Sequence, residues 1–242
     1  MDLYNLLLLI VIPGLYFLGI KIKAFSTKGA VAASIIGSIV IIFGGALYFV
    51  ILFLFLGFSY ISTLAGFEKK KKRSLQEGLK GERKAKNVLA AGLVAAGVSV
   101  LNVSSINPIY VFALYVIALA TILADTAASE IGALDENTYM ILTLKPAETG
   151  VNGGISVLGT ITSLLFSVIF SLLSFLLLGI IMSLQLNQLI YYIFITGFLG
   201  FAGCLFDSVL GETLENRGIL DKYSVNFYAS LFSTVIGMIV LL

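Results

Sequence analysis

The stretch that decides the fold is IYVFALYVIALATILADTAASEIG, at positions 109–132. Its first 16 residues carry no charge, and two carboxylates then follow five positions apart, Asp125 and Glu130. An uncharged apolar run close to the roughly 20 residues that cross a bilayer predicts a membrane-spanning helix. Acidic groups near membrane depth are costly and usually functional, and the C-terminal end of a helix repels anions. We therefore expect Asp125 and Glu130 to bind a cation.

The composition places the whole chain in a membrane. The 242 residues are 59% hydrophobic and 12% charged, with a mean hydropathy of +1.07, whereas a soluble domain carries about 25% charged residues. The chain has no histidine, no tryptophan and a single cysteine, Cys204. This excludes an intrachain disulfide, a haem, and a zinc site built from His and Cys. The remaining ligands are mainly oxygen atoms, which suit Mg²⁺.

Eight apolar segments predict an all-α, polytopic transmembrane bundle that forms a single domain over residues 1–242. They are Leu3–Ile20, Gly29–Phe43, Ala46–Ala65, Ala85–Leu101, Ile109–Ala124, Gly154–Met182, Leu189–Phe206 and Val225–Leu242. Only Gly44 and Gly45 divide the second from the third, so seven spans is the alternative. The first segment is expected to be a retained span, because its lysines follow the apolar stretch and it lacks the basic start of a signal peptide.

Charge placement orients these spans. The loop after the first span holds Lys21, Lys23 and Lys28, and the loop of residues 66–86 holds KKKKR at 69–73. Two crossings between them put both loops on one side, as the positive-inside rule requires. Eight alternating spans put 27 of the 28 charged residues on that side and leave only Asp2 opposite. We predict a multi-pass protein of the cell membrane with both termini outside and its polar site at the cytoplasmic face.

Two features of the spans predict local geometry. Gly154–Met182 has 29 residues, about 43 Å of helix, which exceeds the hydrocarbon core of roughly 30 Å. This span must therefore tilt, break or begin beyond the lipid. Gly197, Gly200 and Gly203 recur at helical spacing, which favours close packing between helices.

A second acidic element repeats the pattern of the first. Asp207-Ser208-Val209-Leu210-Gly211-Glu212 has an Asp, a hydroxyl residue, two apolar residues, a small residue and a Glu. Both elements follow a span that runs from outside to inside, so they end at the same membrane face. Asp125, Glu130, Asp207 and Glu212 are therefore our candidates for binding one or two Mg²⁺ ions.

Two further clusters carry phosphate-binding chemistry. KPAETGVNGG at 145–154 is a glycine-rich turn before a span, and successive backbone N–H groups in such a turn cradle anions. No Walker A motif is present. Arg83, Lys84 and Asn87 lie on the first turns of another span and could hold a lipid or nucleotide phosphate. The KKKKR run is expected to be a solvated basic loop against anionic lipid headgroups.

In chain order, the segments STKGAVAASIIG, KGERKAKNVLAAG, ADTAASEIG, KPAETGVNGGIS, FDSVLGETLE and VNFYASLFSTVIG resemble the integral membrane family that includes plant chloroplast phytyl-phosphate kinase. The resemblance runs from about Ser26 to the C-terminus. The third and fourth segments are more loosely similar to phytol kinase, dolichol kinase and CDP-diacylglycerol synthase.

The resemblance implies a CTP-dependent reaction on an isoprenoid lipid phosphate, with Mg²⁺ held by the four acidic residues. It implies that nucleotide phosphates bind Lys145, Thr149, Gly150, Asn152, Gly153 and Gly154, and that the lipid phosphate binds Arg83, Lys84, Asn87 and Asn226. The chain departs from the pattern at Ala127-Ala128, where many relatives have an aromatic residue. It also lacks the doubled lysine of the synthases at Lys145-Pro146, which leaves the nucleotide open.

Three functions follow from these observations. The first is an Mg²⁺-dependent kinase that converts a phytyl- or geranylgeranyl-type monophosphate to the diphosphate with CTP or another nucleoside triphosphate. The second is a cytidylyltransferase that attaches CMP to a lipid phosphate. The third is an ion-coupled transporter. We expect membrane lipids and no nucleic acid as partners, and the oligomeric state is left open.

Overall fold

The computed structural model of the protein describes residues 7–76 and 81–241. Within these ranges the chain is a helical bundle that carries one small sheet. The helices are α1 (Val11–Lys21), α2 (Thr27–Leu64), α3 (Phe67–Lys72), α4 (Ala85–Val100), α5 (Pro108–Gly132), α6 (Val157–Met182), α7 (Leu186–Leu210) and α8 (Lys222–Leu241), with a 3₁₀ turn at Leu101–Val103 and a π-helical turn at Gly211–Glu215. The strands are β1 (Thr138–Met140), β2 (Pro146–Ala147) and β3 (Gly154–Ile155).

Helix α2 is a hairpin of two arms that reverses at Gly45. Gly45 has φ 77° and ψ −167°, a conformation that is essentially restricted to glycine. A Cβ atom added to Gly37 would lie 3.5 Å from the ring of Phe49, although a continuous helix would separate positions twelve apart by about 18 Å. The arms therefore lie side by side, and the predicted Gly29–Phe43 and Ala46–Ala65 spans are separate.

The described ranges account for seven of the eight spans that the sequence predicts. Six helices of the described ranges are long and apolar enough to cross a membrane, with α2 counted once. Its two arms raise the number to seven. Helix α1 is apolar but has only 11 residues, fewer than the roughly 20 that cross a bilayer, so the eighth span stays a prediction. Residues 1–6, where the first predicted span begins, lie outside the described residues. The chain is thus an all-α polytopic membrane protein.

Helix α5 is the centre of the bundle. Every residue from Val111 to Ala124 is buried, and the helix packs against α2, α4, α6, α7 and α8. The uncharged run is thus surrounded by protein on all sides from Val111 to Ala124. Helix α5 also continues to Gly132, so Asp125 and Glu130 lie on its last two turns.

Small residues let α7 approach its neighbours closely. A Cβ atom on Gly200 would lie 2.6 Å from Cβ of Ala120, and one on Gly203 would lie 2.6 Å from Thr121. The hydroxyl of Ser167 donates a hydrogen bond of 2.7 Å to the carbonyl oxygen of Gly197. The prediction that the glycine series of α7 mediates close helix packing is confirmed.

The charged loops meet at one end of the bundle. The N–H of Arg83 donates to the carbonyl oxygen of Ala24 over 2.9 Å, which joins the two basic loops. Asn216 donates to the carbonyl oxygen of Asn152 over 3.0 Å, which joins the two acidic ones. We call this end the charged face. The single polar face agrees with the sequence, and its cytoplasmic orientation stays a prediction of the positive-inside rule.

The loop between α5 and α6 folds into the antiparallel sheet, in the strand order β2-β1-β3. Helix α6 begins only at Val157, after Ser156 accepts a hydrogen bond from the N–H of Gly159. The first residues of the overlong Gly154–Met182 segment therefore lie outside the helix. The remaining 26 residues still make about 39 Å of helix, so tilting and a start beyond the lipid stay predictions.

Substitution of Gly45 by Ala should destabilise the α2 hairpin, because a Cβ atom disfavours this backbone conformation by about 1–3 kcal/mol. We expect a lower apparent Tm in a thermal-shift measurement on detergent-solubilised protein. Gly57→Ala is the matched control, since Gly57 is helical and nothing lies within 4 Å of an added Cβ atom. Equal Tm values for the two variants would contradict the strained turn.

Candidate functional site

Three spans bring polar side chains together at the inner edge of the charged face. Asp125 of α5 accepts a hydrogen bond of 3.1 Å from the side-chain amide of Asn226, on the first turns of α8. The carboxyl group of Asp207, on α7, lies within hydrogen-bonding reach of Asp125. Its Oδ2 atom is buried and has no hydrogen-bond partner among the described residues. Two carboxylates, one with an unused oxygen, therefore face each other below the surface.

The start of α8 adds a positive charge to this pair. Lys222 is the first residue of α8 and lies close enough to attract the charges of Asp125, Asp207 and Glu215. Asp221, just before α8, accepts hydrogen bonds from the N–H of Ser224 (2.8 Å) and from its hydroxyl (2.7 Å). These hydrogen bonds hold the pKa of Asp221 below its usual range.

A cleft with glycine-rich walls opens on one side of the aspartates. We call it the glycine cleft. It measures about 960 Å³ with its open mouth included. One wall is the turn between β2 and β3 together with the start of α6, and the other is the end of α7. The predicted phosphate-binding residues on its lining are Thr149, Gly150, Asn152, Gly153 and Gly154.

The turn of the glycine cleft requires glycine for its own packing. Gly153 has φ +77°, and a Cβ atom there would lie 2.4 Å from the backbone nitrogen of Glu212. Gly211 faces it in the same way, since its added Cβ atom would lie 2.6 Å from the nitrogen of Gly153. The turn between β2 and β3 therefore rests directly on the π-helical turn after α7. This contact fixes the distance across the cleft.

An apolar pocket opens on the other side of the aspartates. We call it the apolar pocket, and it encloses about 820 Å³ between the α2 hairpin, α4, α5 and α8. Two predicted lipid-phosphate residues, Arg83 and Asn87, lie at its polar end. The rest of its lining is mainly apolar, namely Phe25, Ala33, Ile36, Leu52, Phe55, Leu56, Val88, Ala90, Ala91, Gly92 and Ile122.

The two spaces meet at the same side chains. Asp125, Ser129, Lys222 and Asn226 line both the glycine cleft and the apolar pocket. A polar ligand in the cleft and an amphiphilic ligand in the pocket would therefore touch across these residues.

The glutamates of the two repeated elements lie elsewhere. Residues five apart on an α-helix point about 140° away from each other, so Asp125 and Glu130 face different neighbours. Glu130 forms buried ion pairs with Lys70 and Arg83. Lys70, in the run expected to be solvated, is 1% exposed and also donates to the carbonyl oxygen of Thr63 over 2.9 Å. The expectation that the whole run is a surface loop is therefore wrong for this residue.

Glu212 accepts a hydrogen bond of 2.7 Å from the N–H of Leu142, in the hairpin loop. It thereby ties that loop to the end of α7. Glu215, three residues further along the π-helical turn, lines the glycine cleft instead. Such widened turns are frequent at functional sites.

Two predicted phosphate-binding residues lie away from both spaces. Lys145 is exposed at the start of β2, and Lys84 is exposed just before α4. Neither residue lines the glycine cleft or the apolar pocket. Of the predicted set, the structure brings together Asp125, Asp207, Asn226, the cleft glycines with Thr149 and Asn152, and Arg83 with Asn87.

Lys222, Glu215 and Lys70 were missed by the sequence reasoning. Lys222 could have been found, because it is a charged residue at the start of a span, as Arg83 is. Lys70 could not, since four adjacent lysines give no signal of which one is buried.

Asp125 and Asp207 could hold a divalent cation whose other ligands are phosphate oxygens and water. In the described parts of the chain, no three acidic or cysteine side chains are grouped as a metal site. Mg²⁺ commonly takes one or two carboxylates together with substrate phosphates and water. Asp125 and Asp207, with the unused buried oxygen of Asp207, match that smaller requirement.

The chain is similar to other membrane proteins. It matches the family described as "Integral membrane protein DUF92" over residues 10–234. It is 30% identical over 221 residues to "Uncharacterized membrane protein MJ0933" of Methanocaldococcus jannaschii, which covers 91% of this chain and 87% of that protein. It is 33% identical over 107 residues to "Uncharacterized membrane protein sll0875" of Synechocystis sp., which covers 39% of this chain and 34% of that protein. No solved structure matches the chain significantly.

Replacing Lys70 by Met should remove one buried partner of Glu130 and leave Arg83 as the other. Loss of a hydrogen bond to a charged group costs about 1.5–3 kcal/mol, so we expect a clear fall in apparent Tm. Lys71→Met, at the exposed neighbour, should leave Tm unchanged. Adding Glu130→Gln to Lys70→Met should recover part of the loss, and a fall of equal size in Lys71→Met would contradict the buried ion pair.

Proposed function

The chain belongs to the DUF92 family of integral membrane proteins, and we propose that it is a kinase for isoprenoid monophosphates. In this proposal the γ-phosphoryl group of CTP passes to the phosphate of a phytyl- or geranylgeranyl-type lipid at the charged face. The products are the lipid diphosphate and CDP.

The observation that carries the proposal is that two unlike spaces share one carboxylate, Asp125, in their lining. The glycine cleft is polar and opens at the charged face, whereas the apolar pocket lies among the spans and ends at Arg83 and Asp125. A nucleotide suits the first space and a lipid phosphate suits the second. Their phosphates would then lie side by side at Asp125 and Lys222.

Mg²⁺ would be held by Asp125 and Asp207 together with nucleotide phosphate oxygens. When bound, it would neutralise the negative charge of the reacting phosphates. The pairing of these two carboxylates supports this role, since two acidic groups buried side by side favour a nearby cation.

Other residues would position the two phosphates and neutralise their charge. The N–H groups of the turn at Gly150 and Gly153 are suited to hold donor phosphates. Arg83 and Lys222 are suited to hold the acceptor phosphate and to reduce its repulsion from the nucleotide.

The bonding changes need no protein base. An oxygen of the acceptor phosphate, already an anion, attacks the γ-phosphorus, and the bond to the β–γ bridging oxygen breaks. The electron pair leaves with CDP, so no proton has to move. This agrees with a site without histidine. The choice of cytidine rests on the family resemblance of the sequence segments, and the shape of the cleft supports any nucleotide equally.

Purified protein in detergent or nanodiscs should convert geranylgeranyl or phytyl phosphate to the diphosphate in the presence of CTP and Mg²⁺. We expect CDP as the coproduct and loss of turnover with EDTA. Release of pyrophosphate with a CDP-linked lipid would instead identify a cytidylyltransferase. Ion uptake into proteoliposomes without lipid turnover would identify a transporter.

Asp125→Asn and Asp207→Asn should each lower the rate by at least about 100-fold, the usual scale for the loss of a preorganised electrostatic group. Glu148→Gln is the matched control, because Glu148 is an exposed carboxylate of the same face that lines neither space. Full activity in both aspartate variants would contradict the assigned site.

A further inference from the structure

We propose that a second apolar groove, between α1 and the two arms of α2, receives the far end of the isoprenoid chain and sets the chain length that the protein accepts. We call it the α1 groove. This inference rests on the proposed function, since it concerns the tail of the same lipid phosphate.

The α1 groove is large and nearly free of polar groups. It measures about 1110 Å³ between α1 and the α2 hairpin, with its open side included. The α1 wall includes Leu15 and Tyr16, and the hairpin wall includes Phe49 and Phe53. A space lined in this way in a membrane protein is filled by hydrocarbon and not by water, because few polar atoms are present to hold water.

The α1 groove adjoins the apolar pocket at the end where the lipid phosphate would bind. Six residues line both spaces, namely Phe25, Ala33, Leu52, Leu56, Ser59 and Arg83. The hydroxyl oxygen of Ser59 is buried there without a hydrogen-bond partner among the described residues. Arg83 and Ser59 thus mark a polar junction between two hydrocarbon spaces.

The position of this junction indicates where the chain of a bound lipid would lie. In this proposal, a lipid whose phosphate lies between Arg83 and Asp125 passes its chain from the apolar pocket, across the shared lining residues, into the α1 groove. Helix α1 and the α2 hairpin are also tied together at the charged face, since the hydroxyl of Tyr60 donates to the carbonyl oxygen of Ile22 over 3.1 Å. The groove therefore extends away from that face, in the direction that a long chain would take.

Two glycines allow a direct test. Gly57 lines the α1 groove, is helical, and has nothing within 4 Å of an added Cβ atom. The Cβ atom of a Leu at this position would lie in open space at the edge of the groove. Gly97 of α4 is also exposed and helical with no neighbour within 4 Å, and it lines neither the groove nor the apolar pocket.

The experiment compares Gly57→Leu with Gly97→Leu on geranylgeranyl phosphate and on geranyl phosphate, whose chain is half as long. We expect Gly57→Leu to lower kcat/KM for the longer lipid about tenfold or more, the scale of a steric change in a hydrophobic pocket. The shorter lipid should be unaffected, and Gly97→Leu should leave both lipids unchanged. Equal effects of Gly57→Leu on both lipids, or no effect on either, would overturn the inference.

Direct binding separates this inference from the proposed function. Radiolabelled geranylgeranyl phosphate should bind the wild-type protein more tightly than Gly57→Leu, whether or not any nucleotide gives turnover. If binding shows this pattern and turnover is absent, the groove stands and the kinase fails. If the wild-type protein binds no isoprenoid phosphate, or if phosphatidic acid competes as well as geranylgeranyl phosphate, the groove is not an isoprenoid site.

Discussion

The position of Asp125 inside a buried membrane span is the constraint on which the charged face depends. A carboxylate at this depth needs partners from within the protein, and it finds them on α7 and α8. The approach of these helices is set one turn deeper, where Gly203 leaves room for Thr121 and Thr121 shares a hydrogen bond of 2.7 Å with Ser233. Because residues four apart lie on one helix face, the close contact at Thr121 and Gly203 also brings Asp125 to Asp207. Tight packing of small residues thus produces the acidic pair.

Asp125 lies between a polar cleft and an apolar pocket. The function that we propose needs both. Towards the charged face, the sheet and the start of α6 form a polar cleft that a soluble ligand can enter. Towards the membrane, the α2 hairpin and α4 form a pocket in which polar groups are confined to one end. The strained turn at Gly45 contributes here, since it places both arms of α2 side by side as a wall of the pocket. In the function that we propose, a water-soluble and a membrane-soluble molecule would meet at this point.

Much of this arrangement could be predicted from the sequence, because membrane spans and charged loops obey strong physical rules. The apolar segments, the single charged face, the packing glycines of α7 and the pairing of Asp125 with Asp207 all follow from hydropathy, charge and helical spacing. The three-stranded sheet could not be predicted, since strands of two or three residues are too short to show a periodic pattern. Burial of Lys70 was equally hidden, because only the tertiary fold distinguishes it from its neighbours. Lys222 could have been predicted as a site residue, because it is a charged residue at the start of a span.

The two repeated acidic elements have a division of labour that their spacing explains. Five residues separate each Asp from its Glu, so one side chain points towards the helix interface and the other points away from it. Glu130 pairs with Lys70 and Arg83, which fixes a cation at the polar end of the apolar pocket. Glu212 accepts a hydrogen bond from the N–H of Leu142, which ties the loop between β1 and β2 to the end of α7. Each element thus contributes one carboxylate to the centre of the site and one to a wall, and this explains why two acidic groups occur at the end of each span.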